Sequence, residues 1–277
     1  MKHLLFPAIL MIMGISIVQG QFYYKDIVSN KQVLDDIAYY KKQGIHKITI
    51  KSFEDDGAPS KGFFCKKSIS KDYRKIELGS RSSLSSPSIF TSFFNENGSI
   101  NRTYDSSDIS ATSIHYTYDS NNKILSIFST ITSRDDDFIT EVKEEHIYSY
   151  NKMGLPENML RIKNLTDTSV ISFVIDEKNN ISMEKYSHTG SKYYYYYDDK
   201  NRITDIVKEN EFQGRMIPDY LFEYNEAGSI AKMMSTEEGN TNYYIWSYEY
   251  NSNGLRSKEK IYSKEKRLLG TLEYIYQ

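Results

Sequence analysis

The sequence predicts an all-β protein. Serial antiparallel β-hairpins are expected to form one long twisted or half-pipe sheet, with a short N-terminal capping helix. Three observations carry this expectation. The 277 residues include 31 Ile and 25 Tyr but 6 Ala. Ile and Tyr suit a pleated, half-buried surface, whereas Ala is the best helix former. A pentapeptide recurs along the chain, which is the mark of a repeat architecture. The residues before each copy alternate with period two, as strand residues do.

Each copy starts with an aromatic or apolar anchor followed by Asp or Asn. The copies are 94–98, 118–122, 150–154, 175–179, 197–201, 224–228 and 250–254, and their anchors lie 24, 32, 25, 22, 27 and 26 residues apart. In each, the residue three after the Asp or Asn is Gly or Asn. Asp or Asn at the first position of a type I turn bonds to backbone amides two residues on. Gly and Asn tolerate the positive φ that closes such a hairpin with a bulge. Tyr116 with Tyr118, Tyr148 with Tyr150, Tyr195 with Tyr197, Phe222 with Tyr224 and Tyr248 with Tyr250 should each share one strand face. Leu155-Pro156 is an exception, because Pro donates no ladder bond; that strand is at an edge, bulged, or starts late.

Tyr197-Asp198-Asp199-Lys200-Asn201-Arg202-Ile203-Thr204 resembles the Tyr-Asp-x-x-Gly-Arg-Leu-Thr core of the RHS or YD repeat family. Tyr118-Asp119 with Lys123-Ile124, and Tyr224-Asn225 with Gly228 and Ile230, follow it less closely. The resemblance covers about residues 90–277. It implies a continuous sheet of the kind that winds into a shell around a toxin, or attaches to carbohydrate, in large family members. The chain shows no toxin segment or core domain after its repeats. It ends on Tyr274-Ile275-Tyr276-Gln277, inside the first strand of a further repeat.

Residues 1–20 read as a secretory signal peptide: Lys2 and His3, an apolar run from Leu4 to Val18, then Val18-Gln19-Gly20 as the cleavage site. Cleavage after Gly20 leaves 257 residues (277 − 20) starting at Gln21 and directs the protein out of the cytoplasm, as a secreted or periplasmic product. Residues 21–88 form the expected cap region and residues 89–277 the repeats. Val33, Leu34, Ile37 and Tyr40 have helical spacing over 31–43, with Asn30 as N-cap and Gly44 as C-cap. This helix is expected to cover the first open sheet edge, or else to dock a partner. Ile45 to Phe53 alternates as a strand, and Glu54-Asp55-Asp56-Gly57 is a decayed copy of the turn. The serines from Ser80 to Ser88 around Pro87 mark a loop or linker.

The net charge of −2 excludes nucleic-acid binding through bulk charge. The one cysteine, Cys65, excludes an intrachain disulfide framework; it is a buried thiol or an interchain partner. His46, His115, His146 and His188 lie in separate units without metal-ligand spacing. Neither a nucleophile elbow nor a phosphate loop is present, so no catalytic, cofactor or metal residue is assigned. Asp135-Asp136-Asp137 and Glu144-Glu145 are the prominent carboxylates, with the first group reading as a solvated hairpin tip. Asn97, Asn101, Asn164 and Asn180 match a glycosylation sequon; Asn97 and Asn180 read as turn residues.

The candidate binding residues are aromatic: Tyr193, Tyr195 and Tyr197, and Tyr244, Trp246 and Tyr248, each set on one strand face. Such rows stack on sugars or on a partner's apolar patch; equally, tyrosine covers a single-layer sheet. The function expected is that of a non-catalytic binding or scaffold module for a glycan or a cell-surface protein. The alternatives are a component or partner of RHS-type toxin systems and a carboxylate-dependent hydrolase.

Overall fold

The structure is a computed structural model that describes residues 21–83, 85–134, 140–210, 214–237 and 242–277. Residues 1–20, on which the expected signal peptide falls, and Asp135 to Asp137 lie outside the described residues. A π-helical segment, Tyr23–Val28, runs directly into helix α1, Ser29–Gln43. Strands β1 to β6 are Lys47–Glu54, Phe64–Ile69, Lys75–Arg81, Ser88–Phe94, Ile100–Ser106 and Ser110–Tyr118. Strands β7 to β12 are Ile124–Ser133, Glu141–Tyr150, Pro156–Lys163, Asp167–Ile175, Ile181–Tyr186 and Lys192–Tyr197. Strands β13 to β18 are Ile203–Asn210, Arg215–Tyr224, Ile230–Thr236, Tyr243–Tyr250, Arg256–Tyr262 and Leu268–Tyr276.

Each strand pairs antiparallel with the next, and β1 pairs with both β2 and β18. The 18 strands therefore close into an up-and-down barrel. This corrects the expectation of an open twisted or half-pipe sheet. Closure removes both unpaired edges, which an open array would leave as templates for aggregation.

The turn chemistry explains the repeat. Gly98, Asn122, Gly154, Asn179, Asn201, Gly228 and Gly254 all have positive φ, between 56° and 88°. Asp119 Oδ1 accepts from Asn121 N and Lys123 N, both at 2.8 Å. Asn151, Asp176, Asp198 and Asn251 repeat this double acceptance. The strand register shifts by one residue just before every anchor, for example between Thr117 and Tyr118. The same shift occurs before Phe94, Tyr150, Ile175, Tyr197, Tyr224 and Tyr250. Pro156 is the first residue of β9 and sits at such a bulge, where no donor is needed. Glu54 to Gly57 adopts the same turn, with Glu54 N bonded to Ala58 O and Gly57 N to Glu54 O.

The anchor tyrosine has a second role. Tyr118 donates its hydroxyl to Ile100 O, Tyr150 to Ile124 O, and Tyr197 to Ile181 O, at 2.7–2.8 Å. Tyr224, Tyr250 and Tyr276 do the same to Ile203 O, Ile230 O and Arg256 O. Each of these phenols stitches its own strand to the start of the strand before it, and each bond contributes about 1 kcal/mol.

Closure uses the same turn, split between two distant parts of the chain. Tyr276 pairs with Ile48 as Tyr118 pairs with Ile124. Gln277 N bonds to Lys47 O, as Asp119 N bonds to Lys123 O. His46 N bonds to Gln277 O, as Asn122 N bonds to Asp119 O. The half-repeat at 274–277 is thus completed by residues 46–48.

The helix occupies the lumen. Its side chains meet strands all around the ring: Phe22 packs on His146 and Tyr186, Tyr24 on Tyr220 and Phe222, and Tyr40 beneath Lys67. One core cluster joins Phe22 to the inner faces of β6 to β14. A second joins Ile37 and Tyr40 to the inner faces of β1 to β5. This corrects the role of an edge cap, because a closed ring has no edge to cover. Asn30 is also not the N-cap; it lies inside α1, which continues back to Tyr23. Gly44 does end the helix, in the left-handed conformation that glycine adopts without strain. Ser80 and Ser88 are paired strand residues with their hydroxyls 3.1 Å apart, so the described serines between them, Ser82, Ser83, Ser85 and Ser86, belong to the β3–β4 connection within the ring.

Candidate functional site in the barrel lumen

The lumen is lined by the inward positions of each strand. In β8 these are Glu144, His146, Tyr148 and Tyr150, which alternate with outward Lys143, Glu145, Ile147 and Ser149. Asp26, on the first turns of the helical plug formed by Tyr23–Val28 and α1, accepts from Tyr148 Oη at 2.7 Å and lies 2.6 Å from His146 Nδ1. His146 Nε2 is 2.9 Å from Glu144 Oε1, and Arg161 donates to Glu144 Oε2 at 2.6 Å. Two acids and two bases thus alternate in one chain that ties plug to wall.

Burial alone would drive the proton off His146. The carboxylates of Asp26 and Glu144 outweigh it and raise the imidazole from 6.5 to about 9. Burial would likewise raise Glu144, but bonds from His146 and Arg161 hold it at about 2, below its ordinary 4.5. The His146 contribution to stability is full below pH 6.5 and is lost as pH rises through about 9. That of Glu144 is full above pH 4.5 and is lost as pH falls through about 2. Urea unfolding across pH 5–10 should therefore show a falling alkaline limb in the wild type. His146→Gln should flatten that limb; an unchanged limb would assign the loss to other groups.

Glu184, on β11, is fully buried. It accepts from Phe22 N at 3.1 Å and Tyr23 N at 3.0 Å, the first free amides of the plug. Tyr186 Oη and Tyr195 Oη donate to the same carboxylate at 3.1 and 2.9 Å. A strand thus supplies the N-cap that the helix lacks in its own sequence. Burial raises the Glu184 carboxyl above its usual range, and these four donors oppose the shift.

Near the other end of the plug, Glu259 is buried with Arg256 Nη1 at 3.2 Å and Tyr274 Oη at 2.9 Å. A cavity of about 20 Å³ lies between α1 and strands β2 to β4, lined among others by Asp36, Tyr40, Lys67 and Ser92. It has room for little more than one water.

The six aromatic candidates split by exposure but share a direction. Tyr193, Tyr195, Trp246 and Tyr248 are 1–8% exposed; Tyr197 and Tyr244 are half-buried. All point into the lumen, where Tyr195 holds Glu184 and Tyr197 donates to Ile181 O. Trp246 packs with Tyr248, Ile261 and Leu269 in a third core cluster. The outward tyrosines of the same run are Tyr194 and Tyr196, the latter 49% exposed. Of the histidines, His146 joins the lumen chain and His46 lies 3.1 Å from Tyr73 Oη. His115 lies 3.3 Å from Ser113 Oγ, and His188 is exposed. Cys65 is a free thiol, half-buried beside Lys67, and burial pushes it up to about 11. Glu144 belongs to the lumen chain and Glu145 faces outward. Among the described residues, no group of three or more His, Cys, Asp or Glu is placed to hold a metal ion, and no helix is long and apolar enough to cross a membrane.

The residues missed from sequence are Asp26, Glu184, Arg161 and the pair Arg256–Glu259. Their signal is weak but real. Glu144 and His146 stand at the same period-two positions as Tyr148 and Tyr150, and Glu184 stands two before the inward Tyr186.

No family model and no curated protein matches this chain. Among solved structures, TcdB2-TccC3 without its hypervariable C-terminal region is similar at 11% identity and a TM-score of 0.31, over 78% of this chain and 15% of that one. A porin-like protein from Bacteroides uniformis is similar at 8% identity and a TM-score of 0.33, over 84% of this chain and 98% of that one. A porin-like protein from Bacteroides vulgatus gives 12% identity and 0.31 over the same shares. The chain spans about 15% of the toxin chain it is similar to. At these scores the likenesses carry no argument, and the fold stands on its own strand pairing.

Proposed function

We propose that the protein is an exported, non-catalytic β-repeat barrel that fills its own lumen and works as a binding or scaffold module through its outer wall. One observation carries this reading: the interior is taken up by the chain's own helix and by packed aromatic side chains, so the surface left for a partner is the outside. That outside has charged rungs. Glu223 pairs with Lys232 at 2.8 Å, Glu249 with Lys260 at 2.8 Å, and Lys258 with Glu273 at 3.1 Å. Beside them runs an apolar row in register across β14 to β18: Leu221, Met234, Ile245, Tyr262 and Leu268. The charged rungs interrupt the continuous apolar outer band that a bilayer-spanning barrel carries.

A glycan or a cell-surface protein is the partner class that an outer wall with exposed Tyr196 and neighbouring carboxylates and lysines fits. A glycan array with the mature protein, repeated with Tyr196→Ala, tests the sugar version. Binding that falls with Tyr196→Ala and persists with Trp246→Phe supports the outer wall. Binding to no glycan ends the sugar version. A second reading, a part or partner of an RHS-type toxin system, draws support from the repeat chemistry alone.

A further inference from the structure

The inner end of the plug brings together a buried acid and the residue expected to become the N-terminus. Glu184 is enclosed, and the four groups that donate to it are two peptide N–H and two phenols, all neutral. The two acids of the lumen chain differ in this respect: Asp26 meets His146, and Glu144 meets both His146 and Arg161. A buried carboxylate held only by neutral donors is the arrangement that most gains from a nearby cation. Gln21 is 3% exposed. Its side-chain amide donates to Asp219 Oδ2, and its Oε1, also buried, has no partner in the structure.

The main-chain nitrogen of Gln21 is one peptide unit from Phe22 N, which is 3.1 Å from Glu184 Oε1. Covalent geometry therefore keeps it within roughly 7 Å of that carboxylate. In the uncleaved chain this nitrogen is a neutral amide. Hydrolysis of the Gly20–Gln21 bond adds water, leaves a carboxylate on Gly20 and frees an amine on Gln21, which takes up a proton. We propose that this α-ammonium is the counter-cation of Glu184, so that removal of the leader locks the plug into the barrel. The proposal rests on the reading of cleavage after Gly20. It gives maturation a structural consequence: at Glu184 the start of the helix is held by neutral bonds before cleavage and by an added ion pair after it.

The test starts with the intact mass of the exported chain, which reads its first residue. Plug accessibility is then measured as the rate of trypsin cleavage at Lys25 and Lys31. Chains starting at Gln21 with a free or an acetylated amine are compared, each with Glu184 and with Glu184→Gln. Acetylation should speed plug cleavage about tenfold in the Glu184 chain, the equivalent of one unit of pKa coupling. It should have no such effect with Glu184→Gln. Equal effects in both backgrounds, or none, overturn the proposal, as does an exported chain whose Gln21 has cyclised with loss of ammonia. A chain that starts at another residue overturns the cleavage reading instead, and removes the premise. Should Glu184→Gln fail to fold, titration of the wild-type amine decides: paired, it titrates above about 8, and an ordinary value of about 7.7–8.0 overturns the pairing.

Discussion

Deleting residues 21–44 is expected to abolish the cooperative fold. Phe22, Ile37 and Tyr40 are buried in the lumen, and seven further helix residues pack partly against its wall: Tyr23, Tyr24, Ile27, Val28, Val33, Leu34 and Tyr39. Burying one large apolar side chain stabilises by about 1.5–3 kcal/mol. The three buried ones alone contribute about 5–9 kcal/mol, against a total stability of about 5–15 kcal/mol for a domain. The loss extends to the wall. Without the plug, Tyr148, Phe173, Tyr186 and Phe222 would line an aromatic tube open to water. The deleted chain should show no sharp urea transition and should elute as aggregate. Adding a peptide of residues 21–44 in trans should restore both the transition and the monomer peak. A deleted chain that unfolds with the wild-type midpoint would mean the helix is a passenger.

Glu184→Ala should cost about 4 kcal/mol or more. The substitution leaves Phe22 N, Tyr23 N, Tyr186 Oη and Tyr195 Oη without their acceptor, and a buried donor left unmet costs about 1–3 kcal/mol. Glu184→Gln keeps one carbonyl acceptor and should cost less. Glu177→Ala is the control: its side chain is exposed in the 176–180 turn, and such changes usually stay within about 0.5 kcal/mol. Urea midpoints of the three variants give the comparison. A Glu184→Ala loss no larger than that of Glu177→Ala would show that the plug terminus is not held by this carboxylate.

The turns were legible because their chemistry is local. Asp or Asn accepting amides, with Gly or Asn at positive φ three residues on, is decided within five residues; all seven copies have the positive φ, and five show the double acceptance. Strand faces were legible for the same reason, since period two places Tyr148 with Tyr150 whatever the sheet does later. The closure was not. It depends on pairing β1 with β18, more than 200 residues apart by the register Ile48 with Tyr276. At that seam Gln277 and His46 stand where the other turns have Asp or Asn and Gly or Asn, so the motif hides the join. The aromatic rows were recognised, but alternation assigns residues to a common face without saying whether that face is inside or outside. In an open sheet Trp246 could meet a sugar; in a closed ring it meets Ile261 and Leu269. The helical spacing covers 31–43, and the most telling part of the helix, Phe22 to Val28, lies before the spacing becomes regular. Its N-cap is Glu184, 162 residues from Phe22, which no local reading reaches.

The closed ring is the claim from which the plug, the inward aromatics and the outer-wall reading all follow. It is tested most directly by a cross-link at the seam. Thr49 and Ile275 are directly opposed on β1 and β18 and face outward. In a Cys65→Ser background, Thr49→Cys with Ile275→Cys should form a disulfide within the monomer, because paired strand residues have Cα separations of about 4.5–5.5 Å, inside the disulfide range. Mild oxidation should give a faster-migrating monomer on non-reducing electrophoresis, reversed by reductant. An open sheet would hold the two thiols far apart, and a monomer that stays fully reduced, or that cross-links only between chains, would contradict the closed barrel.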